Sequence, residues 1–492
     1  MSIHAFDAAK NNGYRGLFWF PDLDPGKQAP VQTRSSINAK VLWLYNNVDP
    51  LRVAVDGLTL EEVDTGIWPK STTSSPAFNR AATEAFHNEW QDPRFFHSAG
   101  QENYYTAQWL IRRNIMLFGE LFGQLLRPEI GGTSRLHFIN HWRIGLANTP
   151  LDQSRWTDGV MLDSLGRPLS YRSLSPDKLQ FTDIPAEDVL HFHDKFWTDQ
   201  QRAVSPLAPV VQKLYSLDDI ERAETSGVLL RTRLAYAIER KDDSAGPSLF
   251  AGASSVEEIS NADGSKVLIQ KITSSDGRDV EVADVPSGQT IRVIESNKQA
   301  GTVEFIKWSL QGLANCTLYP SEYVFNISGI GQGTVARMVQ KRVQRVKNTV
   351  RQFQLIPQFC TPAHRFWLWQ KIKAGAFAGV EGGVPDDWYR VKHICPADDS
   401  VDLGREGKLY DDRLDSGKMS PTLYHGMMGE DDEDVEDEII EARIRRLRKL
   451  EAAAAANPEL ASELEYETVF TSATAPTIPP DPFVGPQAPG LE

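Results

Sequence analysis

The spacing most suggestive of chemistry is Gly329-Ile-Gly-Gln-Gly333, three glycines between a predicted strand and a predicted helix. A glycine-rich turn before a helix can bring backbone N–H groups close to a phosphate. A dinucleotide-binding turn would also need a third glycine where Thr334 stands and an acid about 20 residues later. Both are missing. The pattern therefore favours a flexible loop over a nucleotide-binding turn.

Other candidate centres are weaker. No G-x-x-x-x-G-K-[ST] sequence occurs, so we expect no P-loop and no ATP-driven motor activity. His191 and His193 alternate on a predicted strand and face the same side. They could form a metal pair, but no third His or Cys lies at metal-ligand spacing, which favours a structural pair. We therefore expect no catalytic residue, no metal site and no cofactor.

Charge is unevenly distributed along the 492 residues, whose formal net charge is −14. Residues 323–380 contain no Asp or Glu but nine Lys or Arg, whereas residues 430–438 contain eight acids in nine positions. Net acidity argues against a protein that coats DNA. The acid-free stretch indicates a surface that does not repel a polyanion, with a simple solvated face as the alternative.

Length and composition exclude further classes. The length predicts about three domains. No run of eighteen apolar residues occurs, so we expect no transmembrane helix, and the first twenty residues lack the pattern of a signal peptide. The three cysteines are far apart, which is typical of a protein from a reducing compartment.

Apolar periodicity predicts the elements that would position these residues. A strand and turn is expected at Val53–Gly57. Several strands are expected over 134–193, two of them flanking a hairpin turn at Ser164–Pro168. Helices are expected over 77–96, 101–122, 205–241, 302–315, 334–353, 366–377 and 433–455. Residues 242–300 read as a β-rich insertion with β-like runs at 267–272, 280–282 and 290–294. The Pro/Ala-rich tail from Asn457 reads as disordered. The apolar stripe of helix 334–353 would consist of Val335, Val339, Val343, Val346, Val350 and Phe353.

Several segments, taken in order, carry a family resemblance. They are Leu117-Phe-Gly-Glu120, Gly159-Val-Met-Leu-Asp163 with Gly166–Tyr171, Ile184–His191, Arg202–Val210, Val401–Glu406, Gly417–Ser420 and Gly429–Asp431. Over residues 75–450 their order resembles the lambda-type portal proteins of tailed bacteriophages. The chain departs from that pattern at Ala203, where the family has Gly, and at Leu403, where it has Pro. It also departs in the loop after Ile327.

The resemblance implies an α+β fold with the portal architecture of wing, helical stem, β-rich clip and helical crown, assembled into a ring of about twelve copies. The implied parts are a wing at 1–204, a stem helix at 205–241, a clip at 242–300 and a second stem helix at 301–318. A tunnel loop at 319–333 would precede the tunnel helix and the rest of the wing at 334–396. A crown at 397–456 and a disordered tail at 457–492 would follow.

The resemblance also implies a structural role and no enzymatic activity. The ring would occupy one capsid vertex of the virion, would be present in host cytoplasm during assembly, and would not contact a membrane. Double-stranded DNA would pass through its channel during packaging and ejection. Its protein partners would be other copies of itself, the large terminase, head–tail connector or adaptor proteins, and the major capsid and scaffolding proteins.

The same resemblance supplies candidate DNA-facing residues. The tunnel-loop set is Asn326, Ser328, Gly329, Gly331, Gln332 and Gly333. The candidate basic contacts on the following helix are Arg337, Lys341, Arg342 and Arg345. As an alternative, these bases would pair with acids of neighbouring subunits and never touch DNA.

Two other functions are weighed against a portal. One is a nucleotide- or nucleic-acid-processing enzyme that uses the Gly329–Gly333 loop. The other is a different ring-forming head–tail adaptor protein, although adaptors are usually much shorter than this chain.

Overall fold

The computed structural model describes residues 31–128, 134–145, 156–198, 200–239, 256–260, 266–273, 279–285, 299–325, 334–397 and 403–456. The chain divides into two compact units, one ending at His393 and one beginning at Ile394. Helices and sheets are mixed, as the predicted α+β class requires. None of the described helices is long and apolar enough to cross a membrane. The predicted disordered tail, 457–492, lies outside the described residues.

Two helices, α1 (Val31–Asn47) and α2 (Asp49–Val63), begin the described chain. The predicted strand and turn at Val53–Gly57 is therefore wrong, because these residues lie inside α2. The buried positions of α2 include Leu51, Ala54, Val55 and Leu58, which are separated by one, three or four residues and share one helix face. That spacing extends beyond the short Val-Ala-Val run, whose β-branched residues favour a strand only locally.

The next helices are α3 (Pro76–Trp90), α4 (Pro93–Phe96) and α5 (Tyr104–Phe118). Pro93 separates α3 from α4 because proline is tolerated in the first turn of a helix but disrupts its interior. Asn103 begins α5 with a capping box that it shares with Thr106. The helix ends at Gly119, whose φ of +83° favours glycine. The chain then becomes a strand, so the predicted helix over 101–122 is too long at its end.

The strands of this region are β1 (Trp68–Ser71), β2 (Glu120–Leu126), β3 (Arg135–Ile139), β4 (Trp156–Thr157), β5 (Val160–Leu162), β6 (Pro168–Leu174), β7 (Phe181–Pro185) and β8 (Val189–His193). One antiparallel sheet has the order β3-β2-β8, with Phe122 opposite both Ile139 and His191. The second is the meander β4-β5-β6-β7, and its β5–β6 hairpin encloses the predicted turn at Ser164–Pro168.

Helix α6 spans Val211–Arg233 and is shorter than the predicted helix over 205–241. A 3-10 turn, Ala208–Val210, precedes it, and strand β9 (Leu234–Glu239) follows it. Strand β9 pairs in parallel with β12 (Asp279–Val285), in a four-stranded sheet of order β10-β11-β12-β9. Backbone groups that pair in a sheet cannot continue a helix, which explains the early end of α6.

Within residues 242–300, the other described strands are β10 (Val256–Ser260) and β11 (Lys266–Thr273). Helix α7 (Gln299–Thr317) follows and contains the helix predicted over 302–315. The predicted β-like run at 290–294 lies outside the described residues.

The first unit closes with α8 (Ser321–Phe325), α9 (Thr334–Val350), a π-helix (Arg351–Cys360), α10 (Thr361–Lys373) and β13 (Val391–Ile394). Strand β13, whose last residue lies just past the boundary, pairs with β1. The π-helix contains Pro357, which has no N–H to donate and suits a locally irregular ladder. The second unit contains α11 (Leu403–Asp415), α12 (Pro421–Met427) and α13 (Asp432–Ala456).

Two apolar cores hold the first unit together. The larger core joins α1, α2, the end of α5 and the start of α6, with Val41, Leu51, Leu58 and Leu214 all at most 2% exposed. The second core lies between the two sheets of the β2–β8 region and includes Phe122. Beside them is an aromatic cluster that contains the fully buried Trp90 and Trp367. These large aromatic side chains therefore serve core packing.

Candidate functional site

Helix α9 presents a row of bases to solvent. Arg337, Lys341 and Arg345 are four residues apart and therefore lie on one face of the helix, with Arg342 beside them. All four side chains are exposed. No acidic side chain occurs between Tyr323 and Val380, so no acid on this helix offsets the row. The four predicted basic residues are thus brought together on one accessible surface.

The opposite face of α9 packs on the larger core through Val343 and Val346. The predicted apolar stripe is correct at its centre and wrong at its ends, because Val335 is 58% and Phe353 72% exposed. Phe353 falls in the π-helix, where the extra residue in each hydrogen-bonded ring shifts the phase of the stripe. At these turns Lys347 and Arg351 are buried instead.

The tunnel-loop set lies outside the described residues, so the structure gives no geometry for it. This holds for Asn326, Ser328, Gly329, Gly331, Gln332 and Gly333. What the structure does show is how the segments on either side of that loop are held.

Glu62, fully buried at the end of α2, holds both flanks of the loop. Its carboxylate forms an ion pair with Arg112 of α5 and accepts a hydrogen bond from the hydroxyl of Tyr319 at 3.0 Å. Its backbone carbonyl accepts a hydrogen bond from Nε of Arg351 at 2.7 Å. Arg112 also donates to Oε1 of Gln354 at 2.8 Å. Tyr319 begins the predicted tunnel loop at 319–333 and precedes its candidate residues 326–333, whereas Arg351 and Gln354 follow α9.

Charge interactions within the Glu62 cluster favour the charged form of Arg112 and the neutral form of Tyr319. Burial opposes the charge of Arg112, but Glu62 outweighs it and raises the pKa of Arg112 above its usual value. Burial and the neighbouring Glu62 also raise the pKa of Tyr319, so its hydroxyl stays a donor. Glu62 therefore holds Tyr319 through its carboxylate and Arg351 through its backbone carbonyl, on either side of the candidate residues 326–333.

A second buried carboxylate, Glu120 at the start of β2, gathers the segments that carried the family resemblance. Arg202 donates to it through Nη2 at 2.6 Å and Nε at 3.0 Å, and Arg34 donates at 3.1 Å. The backbone N–H of Ala203 donates at 3.0 Å, and the ring of His191 lies at 3.2 Å. Glu120 therefore ties α1, β8 and the chain before α6 to one point.

The Glu120 cluster is balanced in charge. Arg34 and Arg202 face Glu120 and Asp158, which also forms an ion pair with Arg34. Burial disfavours a charged Glu120, but the Arg202 guanidinium and the hydrogen bonds from His191 and Arg202 hold its pKa well below the usual range. Burial raises the pKa of Asp158, an effect that both arginines oppose.

The backbone is packed closely beside the Glu120 cluster. A Cβ on Gly119 would lie 2.5 Å from the carbonyl oxygen of Val204, and one on Gly159 would lie 2.4 Å from the backbone N of Gly145. Both glycines have positive φ. In the sequence, the segments gathered here carried the resemblance by their order alone. The missed signal was a lone acid, Glu120, at the start of a mostly apolar strand, with arginines elsewhere in the chain to pair with it.

The two histidines of β8 take structural positions. His191 lies against Glu120, and its ring stacks on that of His193 with centroids 4.1 Å apart. Burial and the neighbouring His193 lower the pKa of His191 to about 3, so it is neutral at pH 7. Among the described residues, no group of three or more His, Cys, Asp or Glu side chains could hold a metal ion.

Buried neutral histidines predict acid-sensitive stability. Burial lowers the pKa to about 3 in His364 and to about 4 in His141 and His393. Below the unfolded value of about 6.5, the unfolded chain binds protons that the folded chain does not, so stability falls with pH from 6.5 toward 4. Because His364→Leu removes one such site, we expect the variant to lose about 2 kcal/mol less than the parent between pH 7 and pH 5. Urea denaturation at both pH values measures this, and parallel losses would contradict it.

A family of known proteins matches most of the first unit. The lambda family of phage portal proteins matches residues 13–326, which is more than half of the chain. The matched range contains the whole Glu120 cluster and, from the Glu62 cluster, Glu62, Arg112 and Tyr319. It ends before α9. The three segments at Val401–Asp431 that shared in the resemblance fall beyond it. A search of curated proteins found no match.

Among solved structures, similar chains come from a gene transfer agent particle. One is in the neck of the empty particle computed with C6 symmetry, with a TM-score of 0.43, 13% identity, and coverage of 81% of this chain and 93% of that chain. Another is in the neck of the native particle computed with C12 symmetry, with a TM-score of 0.43, 13% identity, and coverage of 82% and 94%. The extent of the family match decides the assignment: the chain belongs to the lambda family of phage portal proteins.

Proposed function

We propose that this chain is one subunit of a portal ring at a capsid vertex, through which double-stranded DNA is packaged and later ejected. Family membership supports this role, and the exposed row of bases on α9 is the observation that carries it. A ring of about twelve copies would repeat that row around the channel. The proposed parts are a stem of α6 and α7, a clip that includes β9–β12, a wing from the rest of the first unit, and a crown from the second unit.

The charge pattern suits a conduit better than a clamp. Each phosphate that a base neutralises adds salt-sensitive affinity, so a wholly basic channel would hold DNA firmly. This chain has a net charge of −14 and places on α9 a row of bases with no acid on the same helix. Weak, local contact from α9 and from Asn326, Ser328 and Gln332 of the loop would guide DNA and let it slide.

The motor and the docking partners are proposed to be separate proteins. The sequence contains no P-loop, so a large terminase would supply the ATPase. The clip would bind that terminase during packaging and a head–tail connector afterwards, while the capsid and scaffolding proteins would surround the wing. Virion location, with assembly in host cytoplasm, follows from the same role.

Neutralising the bases of α9 tests the proposal. We expect a variant carrying Lys341→Gln, Arg342→Gln and Arg345→Gln to assemble into rings but to hold DNA more weakly. For each phosphate that the variant no longer neutralises, the slope of log Kd against log salt for a short duplex should become shallower by about 0.9. Fluorescence anisotropy measures binding, and a packaging assay measures function.

The matched control removes three exposed bases from α13 through Arg443→Gln, Arg446→Gln and Lys449→Gln. It changes net charge equally and should leave the salt slope unchanged. Failure of only the α9 variant to form rings would mean that these bases pair with neighbouring subunits. Equal salt slopes for the α9 variant and the parent would also contradict DNA binding by this helix.

A further inference from the structure

A groove of about 350 Å³ runs along α1 in the first unit. One wall is a helix stripe with three- and four-residue spacing that includes Val31, Ser35, Ala39 and Leu42. The facing wall is formed by the short turn at 141–143, and Phe118 and Ile144 are buried within the lining.

Apolar surface remains open at this groove. Leu42 on one wall is 46% exposed and Trp142 on the other is 40% exposed. The floor is formed by the buried rings of Phe118 and His141, which stack with centroids 4.2 Å apart. Concave surfaces with exposed apolar walls are typical binding sites.

The charged side chains beside the groove already pair with one another. Arg34 and Arg202 contribute to the lining, but both form ion pairs with Glu120 and with Asp158. Two positive and two negative groups thus balance. An aromatic or aliphatic side chain fits this chemistry better than a phosphate or carboxylate.

The chain itself contains a matching segment. Residues 1–30 lie outside the described residues. They lead directly into Val31, which lines the groove. They include Gly16-Leu-Phe-Trp-Phe20, a run of four large apolar side chains. The ten residues 21–30 between Phe20 and Val31 can span up to about 33–36 Å when fully extended, so Phe20 can reach a groove that begins at Val31.

Charge is complementary as well. Asp22 and Asp24 lie two and four residues after the last aromatic residue, Phe20. On the groove side, the ammonium of Lys178 lies 5.3 Å from the ring centroid of Trp142 and is exposed. Aromatic side chains in the groove would place these acids near its rim.

We propose that residues Leu17–Phe20 dock into this groove of their own chain and cover Leu42 and Trp142. The docked segment would attach the N-terminus to α1 beside the Glu120 cluster. This inference rests on the groove and the sequence of the first thirty residues, and does not depend on a role in DNA transport.

Limited proteolysis of the full-length protein with chymotrypsin tests docking, because Phe18, Trp19 and Phe20 are cleavage sites only when accessible. Ala39→Trp fills the groove and should speed cleavage at these residues about tenfold, which corresponds to about 1.4 kcal/mol of lost docking energy. Lys40→Trp adds the same side chain to the next, exposed position of α1, outside the lining, and should cleave like the parent. Equal cleavage of all three proteins would overturn the proposal.

A photo-crosslinking amino acid at position 19 provides a second measurement that does not depend on the folding of Ala39→Trp. We expect crosslinks within one chain to peptides covering 31–45 or 140–145. Crosslinks that join two chains would overturn docking in the same chain, and crosslinks only to other surfaces would overturn the groove as the site.

Discussion

Glu120→Gln is expected to lower the free energy of unfolding by about 3–5 kcal/mol, because it leaves two buried arginines facing a single remaining acid. Glu120 is completely buried and accepts hydrogen bonds from Arg34, Arg202 and the backbone of Ala203. A neutral amide cannot balance both guanidinium groups. Chemical denaturation followed by circular dichroism measures the loss.

The control is Glu187→Gln, which removes a 73% exposed carboxylate that pairs with Arg127 at the surface. Surface pairs contribute about 0–1 kcal/mol, so this variant should unfold like the parent. A double variant, Glu120→Gln with Arg34→Gln, removes one charge of each sign. We expect it to lose less stability than the sum of its single variants. Strict additivity, or a loss in Glu120→Gln as small as in the control, would argue against a coupled cluster.

Lowering the pH should reduce the stability that the Glu120 cluster contributes. The pKa of Glu120 is depressed in the folded chain, so its contribution is fully present above the unfolded value of about 4.3. The contribution is lost as pH falls from there through the folded pKa. The buried histidines begin to act at higher pH, from about 6.5 downward, and the effects of His191 and His364, with pKa values of about 3, overlap the Glu120 effect below about pH 4.3.

Glu62→Gln is expected to destabilise the first unit by about 3–5 kcal/mol and to loosen both flanks of the loop at 326–333. The carboxylate of Glu62 pairs with the buried Arg112 and accepts from Tyr319, while Arg112 reaches Gln354 beyond α9. Hydrogen–deuterium exchange should rise in peptides covering 319–325 and 334–354. Thermal or chemical unfolding measures the total loss.

The neighbouring Glu61→Gln serves as its control, because Glu61 is partly exposed whereas Glu62 is buried. Exchange in the loop flanks should match the parent in this variant. If Glu62→Gln lowers stability but exchange rises uniformly across the first unit, the idea that Glu62 specifically holds the loop flanks fails.

Sequence periodicity predicted the elements whose pattern is long. Helix α9, helix α7 and the β5–β6 hairpin are all present close to their predicted positions. The prediction failed at Val53–Gly57, where three β-branched or small residues suggested a strand although Leu51, Val55 and Leu58 share a helix face. Tertiary packing decides such short segments, and no local pattern reveals it.

The resemblance identified the family from the sequence, but reasoning from single residues did not predict the chain's buried carboxylates, Glu62 and Glu120. Glu62 pairs with Arg112, and Glu120 pairs separately with Arg202; such long-range pairing leaves no periodic trace in a single sequence. The solvent position of Lys341, Arg342 and Arg345 was foreseeable, because they stand off the valine stripe of α9. The burial of Lys347 was not foreseeable, because a lysine is expected on the surface even though Lys347 lies four residues after the buried Val343 on the same face.

The central claim, a subunit of a portal ring, is tested most directly by electron microscopy of the purified full-length protein. Particles on a negative-stain grid should be rings with a central hole wide enough for double-stranded DNA, and their averaged end views should show rotational symmetry of about twelve. Compact single-chain particles without a central hole, at concentrations where the protein is folded, would contradict the account.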